Sequence, residues 1–285
     1  MKTISIFGFG HVGRAMYELF KGQVKAIIDP AANIGSVIPG VYREISTAPS
    51  MPVVQLPLDV SVNQLEEAQE TDFVFICVPT PSNTDGSCDV SIVEKSVDKL
   101  GPNQIGIIKS TVTPGTTERL DDSSNTLVFS PEYFGESRYY LPPEWSPRAW
   151  PFHIFGGPRP LTSQCVELFK PLFNPRTFYA QTDYLTAELV KYMENAWGAM
   201  KVTWANEWFD ICEGFGANYD EVRELWALDP RVEKMHTSVF EDARGYGGKC
   251  FPKDIKAIVA ASKEKGVDVT IHETIDKTNE KRQTT

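Results

Sequence analysis

The chain has 285 residues, 41% hydrophobic and 23% charged, the balance of a globular protein with room for one large or two medium domains. Its formal net charge of -10 argues against non-specific binding to nucleic acid or an anionic membrane, and no apolar run is long enough to span a bilayer. Five cysteines, at 77, 88, 165, 212 and 250, lack metal-type pairing and describe a reduced cytoplasmic chain, while Met1-Lys2 leads into a strand pattern rather than a signal peptide.

Short apolar runs predict strands at Thr3–Phe7, Val24–Ile28, Phe73–Val78, Ile105–Lys109, Leu127–Phe129 and Phe152–Phe155. Uninterrupted runs of this kind, separated by helical or loop segments, mark strands buried on both faces of a parallel sheet. After the first strand comes Gly8-Phe-Gly-His-Val-Gly13, which opens a helix at about Arg14. There Gly8 would make the tight turn, Gly10 would admit a pyrophosphate, and Gly13 would let helix and strand pack closely. Asp29 ends the second strand, where a carboxylate meets the adenosine ribose hydroxyls. Pro30-Ala31-Ala32 supplies no adjacent arginine for a 2′-phosphate, so the pattern favours NAD over NADP.

From about Gln181 the character changes. Thr182–Phe215 has neither proline nor a strand-like run, and its apolar residues at 185, 189, 193, 196–197, 200 and 204 recur as on one face of a long helix. Further helices are expected at about 219–227, 252–265 and 269–282. The expectation is an α/β chain: a Rossmann-type doubly wound parallel sheet over residues 1–180, then an all-α domain over 181–285.

The run Gly245-Tyr-Gly-Gly-Lys-Cys-Phe-Pro-Lys-Asp254 sets a cysteine at the mouth of one of these helices. Pro252 suits the first helical position, where its missing N–H would be unbonded anyway. Cys250 would then sit near unpaired backbone N–H groups and the positive end of a helix dipole, beside Lys249 and Lys253. Those surroundings favour the nucleophilic thiolate. Lys191 and Asn195, four residues apart, share a helix face.

Several separated segments agree with one another: Gly8–Gly13, Ile76-Cys-Val-Pro-Thr-Pro81 with Asp85-Gly86, and Lys109-Ser-Thr-Val-Thr-Pro-Gly-Thr-Thr117. To these are added Pro131-Glu-Tyr-Phe-Gly-Glu136, Lys191-Tyr-Met-Glu-Asn195 and the cysteine motif. In them the chain resembles the UDP-glucose/GDP-mannose dehydrogenase family, which oxidises a nucleotide-sugar alcohol to a uronic acid, a polysaccharide precursor. The resemblance implies that Cys250 captures an aldehyde as a thiohemiacetal, which is oxidised to a thioester and hydrolysed. Lys191 and Asn195 would stabilise alkoxide and oxyanions, and Asp254, Glu132 and Thr111 would position water and move protons. It places Gly8, Gly10, His11, Val12, Gly13, Asp29, Thr80, Pro81, Thr111, Glu136 and Lys253 at NAD. Tyr133, Phe134, Gly247 and Arg231 fall at the sugar substrate, with Arg231 reaching a neighbouring subunit's site. No metal is implied.

The chain also departs from the family. It stops at Thr285, before the second Rossmann-like domain; the segment between Asp29 and Phe73 is compact; and Lys249 replaces the usual serine. The leading expectation is an NAD-dependent nucleotide-sugar 6-dehydrogenase, a homodimer through its helical domain, acting alone or with a separate chain that supplies the further domain. The alternatives are a two-electron alcohol or hydroxyacid dehydrogenase built on Lys191 and Asn195, and a non-catalytic NAD-binding remnant that needs a partner.

Overall fold

The computed structural model describes residues 1–38, 42–46, 53–122, 126–133 and 150–283, with 35–38 and 42–46 as backbone alone. In chain order these form β1 (Ile4–Phe7), α1 (His11–Phe20), β2 (Val24–Ile28), β3 (Asn33–Ile38), β4 (Tyr42–Ser46), β5 (Val54–Pro57), β6 (Ser61–Val62), α2 (Leu65–Gln69), β7 (Phe73–Ile76), α3 (Ser91–Val97) and β8 (Ile105–Ile108). There follow α4 (Thr116–Leu120), β9 (Leu127–Phe129), β10 (Phe152–Gly156), α5 (Arg159–Phe169), β11 (Phe178–Thr182), α6 (Tyr184–Phe215), α7 (Tyr219–Trp226), α8 (Phe251–Glu264) and α9 (Thr270–Gln283). The chain divides into two compact units. Among the described residues the first holds 1–80, 89–133 and 150–189; the second holds Pro81–Cys88 and 190–283.

The first unit is built on an eight-stranded sheet in the order β11-β10-β9-β8-β7-β1-β2-β6. The central strands β1, β7, β8 and β9 are buried along their whole length, which is why they are continuous apolar runs in the sequence. Ile6, Phe75 and Ile107 face one side, where Phe20, Phe155 and Phe169 close the layer, with Phe20 and Phe169 ring centroids 5.1 Å apart. Phe7, Val74, Ile76 and Ile108 face the other side with Val93, Val97 and Leu127. Each fully buried ring or branched side chain contributes on the order of 2 kcal/mol, so the sheet centre is the rigid base from which loops project.

Three features differ from the expectation. The sheet is mostly parallel, but β10 runs antiparallel to β9 and β11 follows β10. β11 was not expected, because its residues alternate partly exposed chemistry along a sheet edge. The segment after Asp29 is not merely a compact link: β3, β4 and β5 form a separate antiparallel sheet. In addition, α1 begins at His11 rather than near Arg14.

In the second unit, Ala196, Ala199 and Val202 of α6 pack against Tyr246, Ile255 of α8 and Ile275 of α9. A smaller core joins Ala205, Cys212 and Tyr219. The apolar pattern of α6 thus splits into a buried row of small residues and an exposed row of large ones, including Met193, Trp197, Trp204, Trp208, Ile211 and Phe215.

Candidate active site

The glycine turn of the first unit has the geometry that a dinucleotide requires. Gly8 has φ of +86°, and a Cβ there would lie 2.6 Å from the Cys77 carbonyl oxygen; a Cβ on Gly13 would lie 2.1 Å from that of Gly8. These contacts leave no side chain possible at either position. At Gly10, the residue before α1, no atom lies within 4 Å of a would-be Cβ, which leaves open space against the free N–H groups of the helix end. His11 is exposed at the first position of α1, and Val12 is half-buried. Asp29 is fixed beside this turn: Oδ2 accepts the Phe9 N–H at 2.7 Å and Oδ1 the Ala31 N–H at 2.8 Å. The residues fit a dinucleotide with its pyrophosphate at Gly10 and its adenosine ribose at Asp29.

The absence of an arginine after Asp29 is only part of the picture. Arg14 of α1 donates Nε–H to the Phe9 carbonyl at 3.2 Å, and its guanidinium lies 5.3 Å from the Phe9 ring. Burial lowers the Arg14 guanidinium from its ordinary value, and the Asp29 charge opposes that shift. A cation therefore stands near the ribose carboxylate after all, supplied by a helix rather than by the next residues.

Thr80 is buried and donates its hydroxyl to the Thr111 carbonyl at 2.8 Å, joining the loops after β7 and β8. Pro81, exposed, belongs to the second unit. Glu132 is buried three residues after β9, where Oε1 accepts the Tyr133 N–H at 2.8 Å and Oε2 lies 3.4 Å from Lys109 Nζ. Tyr133 stacks on Trp150 with ring centroids 5.8 Å apart. Phe134 and Glu136 lie outside the described residues.

The second unit brings together most of the residues expected to do chemistry. Lys191 Nζ donates to Asn195 Oδ1 at 3.2 Å, one turn along α6, and Asn195 Nδ2 donates to Asp254 Oδ2 at 2.5 Å. Asp254 Oδ1 accepts Lys253 Nζ at 2.5 Å. Asp254 is 2% exposed, so both its oxygens are satisfied by these charged and amide donors rather than by water. Its N–H bonds the Cys250 carbonyl at 2.9 Å, which puts the carboxylate one turn after the cysteine. Cys250 is exposed and is the residue before α8, next to the free N–H end of the helix. Phe251, not Pro252, takes the first helical position, and Pro252 takes the second. There too its missing N–H has no intrahelical partner to lose.

Long-range bonds hold the loop that leads to Cys250. Asn206 Oδ1 accepts Arg244 Nε–H at 2.7 Å and the Gly245 N–H at 3.1 Å. Asn279 receives the Tyr246 N–H at 2.7 Å and donates to the Tyr246 carbonyl at 2.8 Å. Asp210 bridges Arg244 and Arg282. Beyond the loop, the Phe251 ring packs on α6 where Gly198 has no side chain; a methyl group there would lie 2.5 Å from Phe251 Cζ. Gly247 is exposed near Gln283. Arg231 is exposed and paired with Asp229, Nη2 to Oδ2 at 2.5 Å.

Sequence reasoning missed two structural partners of this machinery. Glu188 of α6 is fully buried, and its carboxylate accepts the Gly115 N–H (2.5 Å), the Thr117 N–H (2.9 Å) and the Thr117 hydroxyl (2.6 Å). Burial pushes its carboxyl up from the usual range against the pull of those donors. Lys109 is the other, quoted within a motif but given no role. Their motif neighbours were the available signal. No group of three or more His, Cys, Asp or Glu suited to a metal occurs among the described residues.

Residues 44–138 match the NAD binding domain, and residues 185–281 the central domain, of the UDP-glucose/GDP-mannose dehydrogenase family. The UDP-glucose 6-dehydrogenase of Rhizobium meliloti is 33% identical over 226 residues, covering 75% of this chain and 51% of that protein. That of Rickettsia bellii is 31% identical over 229 residues, 76% of this chain and 51% of that one. The chain spans about half the length of the curated relatives it matches. Among solved structures, a UDP-glucose dehydrogenase from Pyrobaculum islandicum superposes over 98% of this chain and 68% of its own with a TM-score of 0.75 at 24% identity. The UDP-D-ManNAc dehydrogenase of Pyrococcus horikoshii does so over the same shares with a TM-score of 0.74 at 22% identity. At these identities the likeness to the solved structures is one of fold.

Proposed function

Because this chain belongs to the UDP-glucose/GDP-mannose dehydrogenase family and carries its NAD-binding and central domains, we propose that it oxidises the primary alcohol of a UDP-glucose-like nucleotide sugar to the uronic acid. The observation that carries the reading is the contact chain Lys191–Asn195–Asp254–Lys253 attached through the Asp254 N–H to Cys250. A simple NAD-binding module has no use for a buried carboxylate with two polar partners one turn from an exposed thiol.

NAD, when bound, supplies the acceptor for hydride. The protein's part begins with the substrate hydroxyl, whose proton passes to a basic group while the Lys191 ammonium stabilises the alkoxide. Loss of a first hydride from the alkoxide carbon leaves the aldehyde. The Cys250 thiolate bonds its carbon as the carbonyl π bond opens to an oxyanion, and loss of a second hydride, to a second NAD, turns the thiohemiacetal into a thioester. Water, activated by Glu132 and oriented through Thr111, breaks the C–S bond and releases the carboxylate and the thiolate. Asn195 keeps Lys191 aimed by accepting a hydrogen bond from it, and Lys253 holds the Asp254 carboxylate in place. Arg231, Tyr133, Phe134 and Gly247 are assigned to the sugar, and Thr80, Pro81 and Glu136 to the cofactor.

The exposed row on α6, with Met193 77% and Phe215 87% exposed, is the surface we assign to a second copy of the chain. Sedimentation at low micromolar concentration should show a dimer that Met193→Asp with Trp197→Asp dissociates; a monomeric parent would refute the assignment. The catalytic reading is tested by supplying a panel of nucleotide sugars with NAD and counting NADH. Four-electron oxidation gives two NADH per substrate and the acid as product. One NADH per substrate with a carbonyl product would leave the two-electron alternative in its place.

A further inference from the structure

Lys109 and Glu132 form an ion pair in the interior of the first unit. Lys109, just past the end of β8, has a side chain only 3% exposed, and its Nζ lies 3.4 Å from Glu132 Oε2. The same ammonium donates to Ser130 Oγ and to the Pro131 carbonyl, both at 3.2 Å. It therefore grips the three consecutive residues that follow β9 and aim the carboxylate.

Among the described residues, the Lys109 charge acts on His153 on β10, Cys77 after β7 and Cys165 on α5. All three are kept neutral. Burial, helped by the Lys109 charge, lowers the His153 imidazole to about 3, and burial pushes both thiols up. None of them compensates a carboxylate. Burying an unpaired charge is so unfavourable that a group losing its counter-ion takes up a proton instead. A protonated carboxyl cannot take a proton from water.

We infer that Lys109 is a positioning residue for the reaction, giving Glu132 its counter-charge and its aim as the base for thioester hydrolysis. This deepens the dehydrogenase reading and rests on it. Lys109 touches neither substrate nor cofactor in this role; it acts through Glu132. The Ser130 and Pro131 contacts fix the direction, and the ammonium supplies the counter-charge.

The test uses Lys109→Met, Lys109→Arg and Glu132→Gln in the full chain. Carbon-13 NMR of carboxyl-labelled glutamate, with Glu132→Gln identifying the signal, should show the Glu132 titration in Lys109→Met displaced upward by about one pH unit or more. Lys109→Arg should restore most of the difference. In turnover, Lys109→Met should lose about tenfold or more in kcat while KM for NAD stays within about twofold. The loss should shrink as pH rises, because hydroxide then removes the proton that the missing cation no longer repels. Should Lys109→Met fold poorly, the double variant with Glu132→Gln should be more stable than Lys109→Met alone, since the buried carboxylate that lost its ammonium is gone. A Glu132 signal that titrates in Lys109→Met as in the parent, or a kcat loss equal at every pH, overturns the inference. If the parent makes no NADH from any nucleotide sugar, the dehydrogenase reading fails, while the carboxyl titration still decides whether Lys109 governs Glu132.

Discussion

Replacing Glu188 by alanine should be among the most damaging single changes in the first unit. The carboxylate is fully buried and receives three donors, two of them the Gly115 and Thr117 N–H groups at the start of α4. A five-residue helix has little else to satisfy its free N–H end. Each buried donor left without a partner costs about 1–3 kcal/mol, and two backbone donors give about 2–6 kcal/mol. Removing the carboxylate relieves its own desolvation, which pushes its carboxyl up. A net loss of about 3 kcal/mol is therefore expected, a large part of the roughly 5–15 kcal/mol typical of a whole domain. Glu188→Gln should cost less, about 1–2 kcal/mol, because an amide oxygen in the Oε1 position keeps both Thr117 donors and only Gly115 meets an NH2 group. Urea unfolding followed by circular dichroism, with the slope unchanged, measures both. A loss below about 1 kcal/mol for alanine, or glutamine as harmful as alanine, would refute the reasoning.

Cys250→Ser should lower acid production by on the order of 10³-fold or more and leave NAD affinity unchanged in a fluorescence titration; iodoacetamide should label Cys250 before the buried Cys88, Cys165 and Cys212. His153, lowered to about 3, stays neutral when folded and gains a proton only when unfolded, so stability should fall as pH drops from about 6.5 toward 3. At about pH 5 the loss is roughly 2 kcal/mol, and His153→Phe, which suits a cage of Phe155, Phe169 and Phe173, should abolish that part of the pH dependence in thermal melts. Asp29→Ser should raise NADP affinity relative to NAD by about tenfold, since Arg14 then faces the 2′-phosphate unopposed; an unchanged ratio in paired titrations would remove Asp29 from the ribose site.

The legible part of this fold was its interior. β1, β2, β7, β8 and β9 are apolar because both faces are covered, and that burial leaves a pattern readable in one dimension. β11, half-exposed at an edge, and the two-residue β6 carry no such signature. The reversal of β10 shows only in its pairing with β9, Gly156 against Phe129, and an apolar run carries no strand direction. In the site, Lys191 with Asn195 and Cys250 with Asp254 were readable because each pair lies within one helical turn. Glu188 and Gly115 are separated by 73 residues, and Lys109 and Glu132 by the helix α4 and the strand β9, so their partnership exists only once the chain has folded. Arg14 escaped for a related reason: an arginine was sought next to Asp29 along the chain, whereas the neighbour in space comes from α1.

An engineer looking for extra thermostability would turn early to α6, a 32-residue helix with a glycine well inside it. Glycine-to-alanine exchange at such a position ordinarily gains about 1 kcal/mol, from the backbone freedom removed in the unfolded chain. At Gly198 the vacant place is already filled by the Phe251 ring. The added methyl would have to displace that ring, and the residue attached to its amide nitrogen is Cys250. The substitution would thus act as a lever on the nucleophile, and its overpacking, costing about 1–3 kcal/mol, would outweigh the usual gain.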